Sequence, residues 1–264
     1  MTTLLERLQR NARRGSKPRC HGMTQGTAQE VAARLTNLIS GFASVRPNDR
    51  WMPKGFENLE EAQLHSADRL LSCEVRGNLL SWWLAVAGGA TRTPNWDIAS
   101  TCEIGGKDGL LLVEAKAHDN ELIKEETGRK NIEPPVSIAT RRNHLRIGSC
   151  IQDASLALTG ETKLPWALSR DWNYQMSNRF AWSWKLAELG VPVVLVYLGF
   201  LRADEMEDQG KPFAQESDWD ALVRLHSEPL FPAGVWNREW SIHGQTFVPL
   251  IRSVEWALEQ KVQS

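Results

Sequence analysis

Ala28, Val31, Ala32, Leu35, Leu38 and Ile39 recur at spacings of three and four, so residues 27–44 read as an amphipathic helix with one buried face. A loop containing Pro and Trp leads to a second pattern of this kind. Leu64, Ala67, Leu70, Leu71, Val75, Leu79 and Trp82 predict a long helix over residues 59–87, ended by Gly88 and Gly89. The period then changes. Residues 96–104 alternate as a strand, the Gly-Gly-Lys-Asp-Gly run at 105–109 reads as a turn, and residues 110–117 form a second strand. Its nearly continuous apolar start predicts a central place in a sheet. Residues 118–135 are polar and charged and read as a mobile or substrate-facing loop closed by Pro134 and Pro135. Helices are predicted over 137–158 and 174–189, the second ending at Gly190. Residues 191–200, rich in Val and Leu, give the strongest buried-strand signal in the chain. Residues 203–220 are acidic and polar. A turn at 242–245, a strand at 246–250 and a last helix to about residue 260 complete the pattern. Helix, glycine, then buried strand predicts an α/β fold with a central mixed sheet flanked by helices.

With 264 residues, 42% of them hydrophobic, the chain can bury one large core or two small ones. There is no internal repeat and no low-complexity linker, so one domain with terminal elaborations is the simplest account. No apolar stretch reaches the ~20 residues that cross a bilayer. Arg7, Arg10, Arg13, Arg14, Lys17 and Arg19 crowd the N-terminus where a secretory signal would be apolar, so a soluble, cytoplasmic protein is expected. This basic segment, residues 1–22, reads as a solvated tail or as an arm touching phosphates. Cys20, Cys73, Cys102 and Cys150 are far apart and form no CxxC pair, so neither a zinc site nor a disulfide framework is indicated. The formal net charge of −1 argues against coating nucleic acid by bulk electrostatics but allows a local basic surface. Twelve tryptophans are scattered along the chain, most of them expected in the core. Trp96, beside Asp97, is the candidate for stacking on an unpaired base.

Chemistry concentrates on residues 96–117. In an extended strand Leu110, Leu112, Glu114 and Lys116 share one face, which turns from apolar to charged near its end. Charges beside a leucine-rich strand are costly unless each finds a partner or a metal. Antiparallel pairing across the turn brings Asp97 near Glu114. Asp97, Glu114 and the carbonyl of Ala115 then offer hard oxygen ligands for Mg²⁺ or Mn²⁺, and Lys116 stands close enough to orient an attacking water or offset charge on a phosphate. The competing explanation is a solvated strand end with an incidental ion pair.

Asp97 within Pro94-Asn95-Trp96-Asp97, followed by a hairpin and Glu114-Ala115-Lys116, resembles the PD-(D/E)XK nuclease superfamily. Pro and Asp, adjacent in that motif, are here separated by Asn95 and Trp96. The resemblance covers about residues 65–200. It implies a restriction-endonuclease-like fold, a Mg²⁺- or Mn²⁺-dependent deoxyribonuclease, most simply an endonuclease, with Asp97 and Glu114 as metal ligands and Lys116 as catalytic lysine. An acid from a helix ahead of the hairpin often joins such sites, and Glu74 fits that place. On this reading residues 1–58 are a basic arm and helical extension, and residues 59–264 a nuclease-like α/β domain with a C-terminal elaboration.

Nucleic-acid contacts are expected from Arg141, Arg142, His144 and Arg146, potential cations within six positions of one another at the start of a helix. Gln175 and Arg179, four apart on one helical face, can reach a phosphate or support the acids. His118, on the strand face of Lys116, is a candidate auxiliary proton carrier. Walker, GxGxxG and GxSxG signatures are absent. Two other readings stay open: a catalytically silent nuclease-like module that binds nucleic acid or protein, and a phosphodiesterase acting on RNA. A homo-oligomer or a protein partner is compatible with both.

Overall fold

In the computed structural model, which describes residues 4–9, 12–88, 92–125, 128, 133 and 135–258, the chain opens with α1 (Ser16–Met23) and α2 (Ala28–Leu38). Then come β1 (Ala43–Ser44), β2 (Trp51–Met52), β3 (Ala62–Gln63), α3 (Cys73–Trp83), β4 (Asn95–Trp96), β5 (Ile98–Ile104) and β6 (Lys107–Lys116). The second half runs through α4 (Asn120–Ile123), α5 (Ile138–Thr162), α6 (Tyr174–Glu188), β7 (Val193–Leu201), α7 (Glu216–Ser227), β8 (Trp240–Ile242) and β9 (Gln245–Glu255). The fold is α/β, as the pattern predicts. Seven strands form one mixed sheet in the order β1-β5-β6-β7-β9-β8, with β2 also on β5. Parallel β6, β7 and β9 make its centre, and β5 and β8 run antiparallel to their neighbours.

Alternation in β6 divides the core as expected. Leu110 and Leu112 pack with Leu79, Ile147, Phe180 and Trp219 from α3, α5, α6 and α7. Leu111, Val113, Ala115 and Ala117 pack on the other face with Cys20, Met23, Val31 and Leu35 from α1 and α2. The turn before β6 is tighter than predicted. Gly105 and Gly106 alone make it, with φ of 56° and 77°, the left-handed pair a two-residue hairpin requires, while Lys107 and Asp108 continue the ladder opposite Ile104 and Glu103.

Other departures have local causes. Thr27 closes a capping box with Glu30, but α2 stops at Leu38, and Thr36 Oγ1 accepts from Val45 N as the chain turns into β1. The long helix predicted over 59–87 is only α3. Ser72 caps it through Val75 N, and the preceding Ala62–Gln63 segment pairs with β4 instead of coiling. Gly89, invoked as part of its end, lies outside the described residues, as does Pro134 of the closing pair. The last helix is replaced by β9, whose ladder with β7 continues to Leu201↔Glu255; residues 256–258 have no regular structure, and residues 259–264 lie outside the described ones. α7 was not foreseen. Its first turn is polar, yet Trp219 and Val223 are buried.

Where it is described, the basic N-terminal segment is not a loose tail, and several of its cations are paired within the fold. Arg19 is buried and paired with Glu205, Arg14 pairs with Asp208 at 2.7 Å, and Lys17 Nζ lies 2.6 Å from Glu61. Arg10 lies outside the described residues. Among the described residues no helix is long and apolar enough to cross a membrane.

Candidate active site

The hairpin and the start of α6 build one cleft of about 560 Å³, which holds Asp97, Glu114, Lys116, Gln175 and Arg179 together. The Asn95-Trp96 insertion explains how Asp97 gets there. Those two residues leave the line of β5 to pair with Gln63 and Ala62, so the chain bends at Asp97. Beyond the Ile98↔Val113 pair, the Asp97 side chain takes over from the ladder, and Oδ2 accepts from Ala115 N at 2.7 Å. A residue in a strand directs its carbonyl to the same edge as its N–H, so the Ala115 carbonyl also faces Asp97.

Glu114 is buried and held from two sides: Lys116 Nζ donates to Oε1, and Arg179 Nε donates to Oε2 at 2.7 Å. Burial alone would push the Glu114 pKa up, but the guanidinium and the ammonium outweigh it and hold the carboxyl below its ordinary range. Burial likewise opposes the charge on Lys116, yet Glu114 and Asp97 keep its pKa raised. Lys116 also donates to Gln175 Oε1 at 2.9 Å. The predicted face shared by Gln175 and Arg179 therefore meets the charged end of β6. Arg179 is buried, donates to Asn95 O at 2.7 Å and lies 4.6 Å over the Trp96 ring. Of its two predicted roles, support of the acids is the one its contacts fill. Trp96 is fully buried beneath that guanidinium, which removes it as a stacking platform.

Three further carboxylates line the cleft: Glu61, Glu121 and Glu125. Glu61 is held by Lys17 and, at 3.2 Å, by Asn95 Nδ2. Glu121 accepts from Ala117 N and from Ser16 Oγ at 3.3 Å. Glu125 accepts from Gln175 N and Met176 N, capping α6, and its other oxygen lies 2.8 Å from His226 Nε2. Among the described residues Asp97 Oδ1 has no hydrogen-bond partner, and it is the one carboxylate oxygen of the cleft left free for a ligand there. Among the described residues no three His, Cys, Asp or Glu side chains are grouped to hold an ion. The oxygen set for a hard cation is instead two carboxylates and one carbonyl, of which Asp97 Oδ1 is the free member.

The remaining predicted residues lie elsewhere. Glu74 is exposed in the first turn of α3 and does not line the cleft; the acid that approaches from the N-terminal side is Glu61. The long helix assumed over 59–87 hid that difference. Arg141, Arg142 and Arg146 are exposed on α5 outside the cleft, and His144 is buried because it precedes Ile147, Ile151 and Ala154 on the inward face. His118 is buried and also stands outside the cleft. Glu121 and Glu125 fall in the loop read as substrate-facing, but only the fold shows them capping backbone amides.

The packed surroundings, and next the Glu114 carboxylate, push the Asp97 pKa up to about 7 from 3.8. Raised in this way, the group takes up a proton on folding, so its contribution favours the metal-free fold at low pH and is lost as pH rises from about 4 through about 7. Asp97→Asn keeps an oxygen for Ala115 N and removes the charge. At about pH 8 the metal-free variant is expected to be ~1–2 kcal/mol more stable than wild type, a value discounted for the half-buried position, and to lose this advantage at about pH 5. Urea denaturation at both pH values checks it; equal stabilities at the higher pH would contradict the assignment.

Comparison of the chain with known protein families, curated proteins and solved structures finds no match.

Proposed function

We propose that this chain is a metal-dependent nuclease that hydrolyses phosphodiester bonds, with DNA as the expected polymer. The observation that carries the reading is the meeting of Asp97, Glu114 and Lys116 in one cleft, with Asp97 Oδ2 on the Ala115 amide and Oδ1 free. A Mg²⁺ or Mn²⁺ ion held by Asp97, Glu114 and the Ala115 carbonyl would supply Lewis-acid polarisation of a phosphate oxygen. Lys116, positioned by Gln175 and Glu114, places a positive charge where negative charge develops on the phosphate and orients the attacking water. Water adds to phosphorus, the ester P–O bond breaks, and the proton lost by the water is balanced by one gained by the leaving oxygen. Arg179 keeps Glu114 ionised and fixed.

The hairpin with its Asp and Glu-Ala-Lys, followed by a helix and a parallel buried strand, supports the resemblance to PD-(D/E)XK nucleases and to their restriction-endonuclease-like fold. DNA rests on that resemblance; the phosphodiester chemistry rests on the residues. The silent-module reading draws on one observation, that two cations already hold Glu114. Purified wild type, Asp97→Ala and Lys116→Ala are to be incubated with plasmid, linear duplex, single-stranded DNA and RNA, each with Mg²⁺, Mn²⁺ or EDTA. DNA cleavage that needs metal and both residues is expected. Cleavage that survives both substitutions contradicts the site, cleavage of RNA alone replaces the polymer, and no cleavage favours the silent module.

A further inference from the structure

Trp172 is the one tryptophan of the twelve in the exposed class, with 55% of its surface accessible, and all twelve lie within the described residues. Its ring belongs to neither core cluster and makes no ring contact or hydrogen bond among the described residues. The segment carrying it is nevertheless tied down. Ser169 N donates to Ser177 Oγ at 2.9 Å, Asp171 N donates to Ser169 Oγ at 3.0 Å, and Asn173, left-handed at φ 46°, donates through Nδ2 to the His226 carbonyl.

Two more exposed apolar side chains lie close in sequence to residues that hold this segment. Leu225, 67% exposed, precedes His226; Ile123, 56% exposed, lies two before Glu125. Asn173 Nδ2 donates to the His226 carbonyl, and His226 Nε2 lies 2.8 Å from Glu125 Oε2, so the backbone next to Trp172 is tied to one polar node. That node adjoins the cleft, because Glu125, Lys124, Tyr174 and Gln175 are its walls. An exposed indole on fixed backbone, two residues before a wall of a charged cleft, is placed to meet a ligand that enters it.

We infer that Trp172 is a stacking platform for an unpaired nucleobase of the strand whose phosphate enters the cleft. This rests on the nuclease reading and refines its substrate. An indole offers a flat face that accepts any base, while Lys124 of the cleft wall supplies positive charge for the backbone. Bases inside a duplex are already stacked and paired, so the platform favours single-stranded or locally opened DNA.

The full-length chain in EDTA, which prevents cleavage, is to be titrated against fluorescently labelled single-stranded and duplex oligonucleotides, with anisotropy as the readout. Trp172→Ala is expected to weaken single-strand binding by at least about fivefold, Trp172→Phe to retain most of the affinity, and duplex binding to change less. Unchanged single-strand affinity in Trp172→Ala overturns the inference. Absence of wild-type binding to the single strand also overturns it. If wild type cleaves DNA with Mg²⁺ while Trp172→Ala binds normally, the inference fails and the nuclease reading stands; if wild type cleaves nothing, the nuclease reading fails as well.

Discussion

Lys116→Met is expected to slow cleavage by about 10²- to 10³-fold while leaving the fold within ~2 kcal/mol of wild type. Methionine keeps the length and most of the volume of the buried stem, so its packing is little changed. Glu114 keeps its second cation, because Arg179 Nε still donates to Oε2 at 2.7 Å. What disappears is the positive charge that Gln175 and Glu114 hold at the charged end of β6. On the proposed mechanism that charge serves the transition state more than the bound substrate, so the loss should appear in kcat with KM nearly unchanged. Single-turnover cleavage and urea denaturation of the same preparation check both halves. A variant cleaving at the wild-type rate would remove Lys116 from the reaction.

Arg179→Met is expected to act on the fold itself and to cost about 3–5 kcal/mol in the metal-free protein. Removing the guanidinium leaves a buried carboxylate with Lys116 as its remaining cation, orphans the Asn95 carbonyl and uncovers the Trp96 ring. Lysine is a poor substitute because one ammonium cannot span Glu114 and Asn95 while lying over an indole. Adding Glu114→Gln to Arg179→Met should recover part of the loss, since the stranded charge is then gone. Urea denaturation in EDTA reads all three proteins. A loss below ~1 kcal/mol for Arg179→Met would show that the ion pair is not the main support of Glu114.

Much of this site was legible because it depends on local periodicity. The alternation that puts Glu114 and Lys116 on the face of Leu110 and Leu112 is a property of any strand, and the glycine turn fixes which strand returns beside it. Asp97 was therefore placed correctly even though the turn is two residues and not five. The four-residue spacing of Gln175 and Arg179 transferred just as directly to α6. Long-range pairing was not legible. Glu61 enters the cleft only because Ala62–Gln63 finds β4, and a helical pattern downstream masked that short strand. The same limit hid the second half of β9: the strand predicted at 246–250 is its first half, but residues 251–255, read as helix, continue the ladder to the end of β7. Arginines misled in the opposite direction. Arg19 and Arg179 look in sequence like phosphate contacts, yet both are buried and spent on Glu205 and Glu114. Their partners lie far along the chain, beyond the reach of any local pattern.

On the proposed function Asp97 and Glu114 hold a divalent cation beside Lys116, and titration with Mn²⁺ followed by electron paramagnetic resonance reads that ion itself. Wild type and Lys116→Met are expected to take up Mn²⁺ at this site, and Asp97→Asn, which neutralises the carboxylate bearing the one free oxygen, to lose it. Mn²⁺ uptake by Asp97→Asn equal to that of wild type, or no uptake by wild type, would contradict the account.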